Sequence, residues 1–177
     1  SLGEDAQAMV VDGELEGVYR FLRNERVTPH KILAPHFAST LARAASGKVL
    51  VVHDTTEFGF GGVSLREGLG RINKTGEKQG FFGHFALAVA GDGSRQPLGL
   101  VGLKTLVRGA SATAHLRHTR RPGVETERSR WFQLANDVTQ LLPDAVHVMD
   151  READSYEIAC EIVSTGGHFV IRYRRGR

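Results

Sequence analysis

The stretch Lys48-Val49-Leu50-Val51-Val52-His53-Asp54 sets four consecutive apolar residues, mostly β-branched, ahead of an acidic one. Such a run predicts a strand buried on both faces. A second stretch, Ala145-Val146-His147-Val148-Met149-Asp150, repeats the pattern: a short hydrophobic strand closed by an aspartate. In α/β sheets, chemistry gathers at the carboxyl ends of strands. If the two strands lie parallel and adjacent, both carboxylates reach one edge. Carboxylates held close repel unless a cation lies between them. Mg²⁺ or Mn²⁺ suits such an oxygen site and keeps waters and substrate phosphates as further ligands. Two such ions about 4 Å apart can activate a water or a 3′-hydroxyl and stabilise the leaving oxygen of an in-line displacement. The plainer alternative for each aspartate is a turn residue or a helix cap.

Working outward from these strands, Leu15, Val18, Tyr19 and Leu22 fall at helical spacing. Pro29 and Pro35 each suit the first turn of a short helix. Phe37, Leu41 and Ala44 continue a helical face that Gly47 stops. Residues 59–83 are rich in Gly, Lys and Arg and predict a long loop. Strands over 84–90 and 98–104 flank Gly91-Asp92-Gly93-Ser94, a hairpin signal. Residues 108–125 read as a second basic loop. Trp131, Leu134, Ala135, Val138, Leu141 and Leu142 then mark a helix that Pro143 ends. Asp154-Ser155-Tyr156-Glu157 resembles a capping box, with Asp154 favoured as the cap. Ile158, Ala159, Ile162 and Val163 give the next helix its apolar face, and 168–173 is a last strand. The order predicts an α/β fold: a three-strand antiparallel meander, then two strands placed parallel by right-handed crossovers, with flanking helices. Residues 1–47 form a small helical lead-in and 48–177 the core.

The chain has 177 residues, net charge +3 and one cysteine, Cys160. It is long enough for one core, and an internal disulfide or a cysteine-based zinc site is excluded. A reducing, cytoplasmic setting is expected. The mild basicity permits nucleic-acid binding without requiring it. Ser1 leads directly into Leu2-Gly3-Glu4, and the end at Arg177 is equally abrupt; both suggest a piece of a longer protein.

The segment Asp150-Arg151-Glu152-Ala153-Asp154 closely resembles the signature around the second catalytic aspartate of DDE-type transposases from bacterial insertion sequences. His53-Asp54-Thr55-Thr56 resembles the motif around the first. Further similarity lies in 16–24, in Leu69-Gly70-Arg71, in Gly80-Phe81-Phe82-Gly83-His84, in Glu127-Arg128-Ser129-Arg130-Trp131 and in 168–172, so that it covers about 14–175. The resemblance implies a ribonuclease H-like fold, Mg²⁺- or Mn²⁺-dependent cleavage of double-stranded DNA at transposon ends, and transfer of the freed 3′-hydroxyl to target DNA. It assigns metal binding and catalysis to Asp54 and Asp150. The third ligand, a Glu, is expected downstream of residue 177, as are dimerisation helices, so this segment alone is expected to lack activity. Two further classes stay open: a DNA- or subunit-binding remnant, and a metal-dependent phosphohydrolase using Asp54 as nucleophile. The latter usually carries an Asp two positions on, where this chain has Thr56.

Arg151, Lys74, Lys78, Arg71, Arg128 and Arg130 are candidate DNA-backbone contacts, as are Arg66, Arg108, Arg117, Arg120 and Arg121, against a purely solubilising role. Thr55, Thr56 and Glu152 are candidates to orient the metal site. Trp131 could stack on a base, but its helical spacing favours the core. His115 and His118 hint weakly at zinc. Alternation along the strand points His53 away from Asp54's side, so His53 and His147 are expected to pack.

Overall fold

The computed structural model describes residues 12–62, 64, 66–72, 78–108 and 127–173. Helices α1 (Asp12–Arg23) and α2 (Pro29–Ala44) precede strand β1 (Val49–Phe60). There follow β2 (Gly70–Arg71), β3 (Gln79–Ala90), β4 (Pro97–Leu106), helix α3 (Glu127–Leu141), β5 (Val146–Met149), a 3₁₀ turn (Arg151–Ala153), α4 (Tyr156–Ser164) and β6 (His168–Ile171). The fold is α/β with one mixed sheet. β1, β3 and β4 are antiparallel neighbours, while β5 and β6 run parallel to β1, so that β4-β3-β1-β5-β6 lie side by side. The short β2 extends the far end of β3.

The predicted meander, hairpin turn and parallel pair are all present. Three local expectations are corrected. Pro29 and Pro35 do not open two short helices: Pro29 occupies the first turn of α2, capped by Thr28, and Pro35 lies inside it. Residues 59–83 are not simply a loop, because β1 runs to Phe60 and β3 begins at Gln79 in continuous pairing. Their glycines hid an alternating pattern. And β1 is not buried on both faces.

Helices α2, α3 and α4 all pack on one face of the sheet. Val49, Val51, Ala86, Ala88 and Val101 meet Ala44 of α2 and Leu134 and Val138 of α3. Met149, Phe169 and Ile171 meet Trp131 and Ala135 of α3 and Ile158 and Ile162 of α4. The alternate residues therefore face the other way, with Val52 37 % and Val170 59 % exposed. Val163 of α4, expected in the apolar stripe, is exposed as well. α1 carries its stripe (Leu15, Val18, Tyr19, Leu22) on an exposed surface.

Helix α2 lies along the outer edge of β4. Leu100 N–H donates to His36 Nε2 at 3.0 Å, and Arg43 Nε donates to the Leu98 carbonyl at 2.7 Å. Gly99 between them has φ +130°, and a Cβ there would sit 2.3 Å from Thr40 Oγ1. Both the backbone conformation and the contact oppose a side chain. Gly99→Ala is expected to cost about 1–3 kcal/mol, measured as a lowered urea midpoint at unchanged m-value.

Candidate functional site

Strand β1 buries Val51 and His53 beneath the helices and turns Val52 and Asp54 to the open face. β5 repeats this: His147 and Met149 are buried, and Asp150, which follows in extended conformation (φ −81°, ψ −175°), is exposed. The parallel register pairs Leu50 with Val146, Val51 with His147 and Val52 with Val148. Asp54 and Asp150 each lie two residues beyond the last registered pair, Val52 with Val148, Asp150 just past the end of β5, and both are exposed. Asp54 is not at a strand end, as the sequence suggests. It lies midway along β1, at the point where pairing with β5 stops and pairing with β3 continues.

Asp150 caps the 3₁₀ turn: its Oδ1 accepts the Glu152 N–H at 2.9 Å. One carboxylate oxygen is thus oriented by the backbone. Asp154 is not the cap of α4; Ser155 holds that position, and its hydroxyl donates to the Glu157 carboxylate rather than to the backbone of the helix. Glu152 and Arg151 are exposed beside Asp150.

Two carboxylates on an open face supply hard oxygen donors of the kind Mg²⁺ and Mn²⁺ accept, with water and phosphate completing the shell. Among the described residues no group of three or more His, Cys, Asp or Glu side chains is arranged to hold a metal ion.

Thr55 does not orient Asp54. It lies on the opposite face, and its hydroxyl is 2.9 Å from His84 Nδ1. Thr56 shares Asp54's face by alternation and is exposed. Arg130 is not placed to meet DNA: it is only 2 % exposed, and its charge reaches His84. Its position in α3 next to Trp131 turns it inward. Arg66, Arg71 and Lys78 are exposed. Lys74, His115, Arg117, His118, Arg120, Arg121 and the side chain of Arg128 lie outside the described residues.

Beneath the aspartates lies a buried histidine cluster, of which only the packing of His53 and His147 is legible in the sequence. The Thr139 hydroxyl donates to the Ala135 carbonyl at 2.8 Å, so it accepts from His147 Nε2 at 3.0 Å. His147 Nδ1 is then an acceptor, and His53 Nε2 donates to it at 2.9 Å. This relay requires a neutral His147, since a proton added to its Nδ1 would face the His53 N–H. His84 stacks on His53, with centroids 5.5 Å apart, and packs against Trp131 at 4.2 Å. Trp131 is therefore a core residue. Burial, and then repulsion from His147 and His84, holds His53 well below its usual value. Burial and then Arg130 lower His84 to about 4; burial and then His168 lower His147 to about 4.

Surface pockets of about 450 and 310 Å³ lie around Lys48 and Val49, at the start of β1 and away from Asp54. No protein-family model matches the chain, and no curated protein matches it in sequence. No helix among the described residues is long and apolar enough to cross a membrane.

Proposed function

We propose that this chain is the catalytic core of a metal-dependent DNA strand-transfer enzyme of the DDE transposase type, on a ribonuclease H-like sheet. One observation supports the proposal: β1 and β5 are adjacent and parallel, and Asp54 and Asp150, far apart in sequence, each follow the last registered pair by two residues and are exposed. The strand arrangement, with a meander on one side of β1 and parallel strands on the other, supports it. So does the Asp150-Arg151-Glu152-Ala153-Asp154 signature. An open face suits a polymeric substrate better than a small phosphate ester, which would be held in an enclosed pocket.

In this proposal Asp54 and Asp150 hold Mg²⁺ or Mn²⁺. The ion supplies Lewis acidity that activates a water or 3′-hydroxyl and stabilises the leaving oxygen. The Glu152 N–H fixes the Asp150 carboxylate. Exposed Arg151 is suited to a DNA phosphate. The substrates are double-stranded transposon ends and target DNA. A third carboxylate and the self-association surfaces come from outside the residues described.

Calorimetric titration with Mn²⁺ tests the site. The native chain should bind, and Asp54→Asn and Asp150→Asn should each weaken binding on the order of tenfold or more, because affinity follows the charge of the donor set. Circular dichroism should show both variants folded. Equal heats from native and variant proteins would remove the proposal's basis.

A further inference from the structure

Along the open face, β1 and β3 extend well past β5, with β4 and then the short β2 paired to the other side of β3. Residues facing one another across antiparallel strands project to the same side. The pairs Asp54 with Phe85, Phe58 with Phe81 and Phe60 with Gln79 therefore share Asp54's face. Their rings form a row. Phe58 is 6.2 Å from Phe85 and 4.8 Å from Phe81, stacked at 15°, and Phe60 is 6.2 Å from Phe81. Gly83 lies on this face between the rings, where a Cβ would sit 2.9 Å from Phe58 and 3.0 Å from Phe85. The absence of a side chain lets the rings close up.

The row does not end in a core. Phe60 is 39 % exposed, and the Arg66 guanidinium lies over its ring, 6.0 Å from the centroid. Gln79 pins the segment that brings Arg66 there: its Oε1 accepts the Arg66 N–H at 2.8 Å and its Nε2 donates to the Ser64 carbonyl at 2.6 Å. Arg71 pairs with Gln79 from β2, so it leaves the sheet on the same side, and it is exposed. From the acidic pair, the face thus presents aromatic rings and then two guanidinium groups, over a length of about 20 Å from residue 54 to residue 60.

We infer that this strip is a stacking platform for unpaired bases of a DNA strand whose reacting phosphate lies at Asp54 and Asp150. The inference rests on the proposed function and names the form of DNA that its site selects. Aromatic faces bind bases irrespective of sequence, and guanidinium groups hold the phosphates between them. A fully paired duplex keeps its bases stacked on one another and has none to offer, so the platform favours frayed or single-stranded ends. Rings that only held the strands together would affect stability and not DNA choice.

The test is fluorescence anisotropy with the whole chain and two labelled DNAs: a blunt duplex, and the same duplex carrying a short single-stranded overhang. The native protein should bind the overhang DNA more tightly. Phe60→Ala should weaken that binding about tenfold, the loss of one stacked base, and leave blunt-duplex binding within about twofold. Phe60→Trp should restore it, with tryptophan fluorescence quenched by the overhang DNA alone. If Phe60→Ala binds both DNAs as the native protein does, or weakens both equally, the platform is refuted while the metal-site proposal stands. If the native protein binds neither DNA, both fail.

Discussion

Acidification from pH 7 to 4.5 is expected to remove several kcal/mol of stability from this protein. His84 and His147 are buried, and their pKa values fall from 6.5 to about 4 on folding. The unfolded chain therefore binds protons that the native state refuses. Stability tied to these groups is complete above about pH 6.5 and is lost as pH falls toward 4; below that, both states are protonated and the loss stops. The difference corresponds to about 3 kcal/mol for each histidine. His53, held lower still, adds in the same direction. Arg130 from α3 reinforces the effect by placing positive charge near His84, and the imidazole of His168 from β6 acts on His147 in the same direction. Urea unfolding at intervals between pH 7.5 and 4 would measure it. The steepest loss should come between 6.5 and 4.5, above the range in which ordinary carboxylates titrate. A flat profile there would mean that the cluster admits protons without opening.

The second large effect concerns the seam between β4 and α3. Leu134 is buried, and its Cδ1 lies 2.5 Å from where a Cβ on Gly102 would stand. The glycine leaves room for the leucine. Leu134→Ala should cost about 2–5 kcal/mol through lost transfer energy and the cavity left behind. Gly102→Ala alone should cost about 1–3 kcal/mol by forcing Leu134 off its rotamer. Made together, the new methyl group partly fills the space vacated, so the double variant should be more stable than the sum of single costs predicts by at least about 0.5 kcal/mol. Strict additivity in denaturant melts would show that the two positions do not share one packing space.

Much of this architecture is legible in the sequence because hydrophobic runs of the right length leave few alternatives. Val49–Val52 and Val146–Met149 are strands, and Pro143 ends α3 where expected. The meander and the two parallel strands follow from element order. What could not be read is which side of the sheet the helices cover. A run such as Leu50-Val51-Val52 is the same whether both faces are buried or one is open, and only three-dimensional packing decides. The distal part of β1 was obscured for a different reason: Gly59, Gly61 and Gly62 dilute the alternation of Phe58 and Phe60. Alternation along β1 correctly sets His53 and Asp54 on opposite faces, and the same rule removes Thr55 from the aspartate site. Arg130 shows the limit of reading charge from composition, since a guanidinium in a basic stretch proves to be an interior group. The histidines' proximity to the aspartates is visible in sequence, but their hydrogen-bond relay depends on Thr139, supplied by a different element.

The clasp of His36 and Arg43 on β4 also governs how the sheet can grow. An outermost strand offers its amide and carbonyl groups to any extended peptide that arrives. On the β4 side, two of those groups are already occupied by α2, so incoming chains meet a helix instead of a template. Among the described elements, β6 pairs only with β5, leaving the opposite border as the one where another chain could add. Among the described elements, strand addition is therefore obstructed where α2 crosses β4, and the border of β6 is the more open of the two.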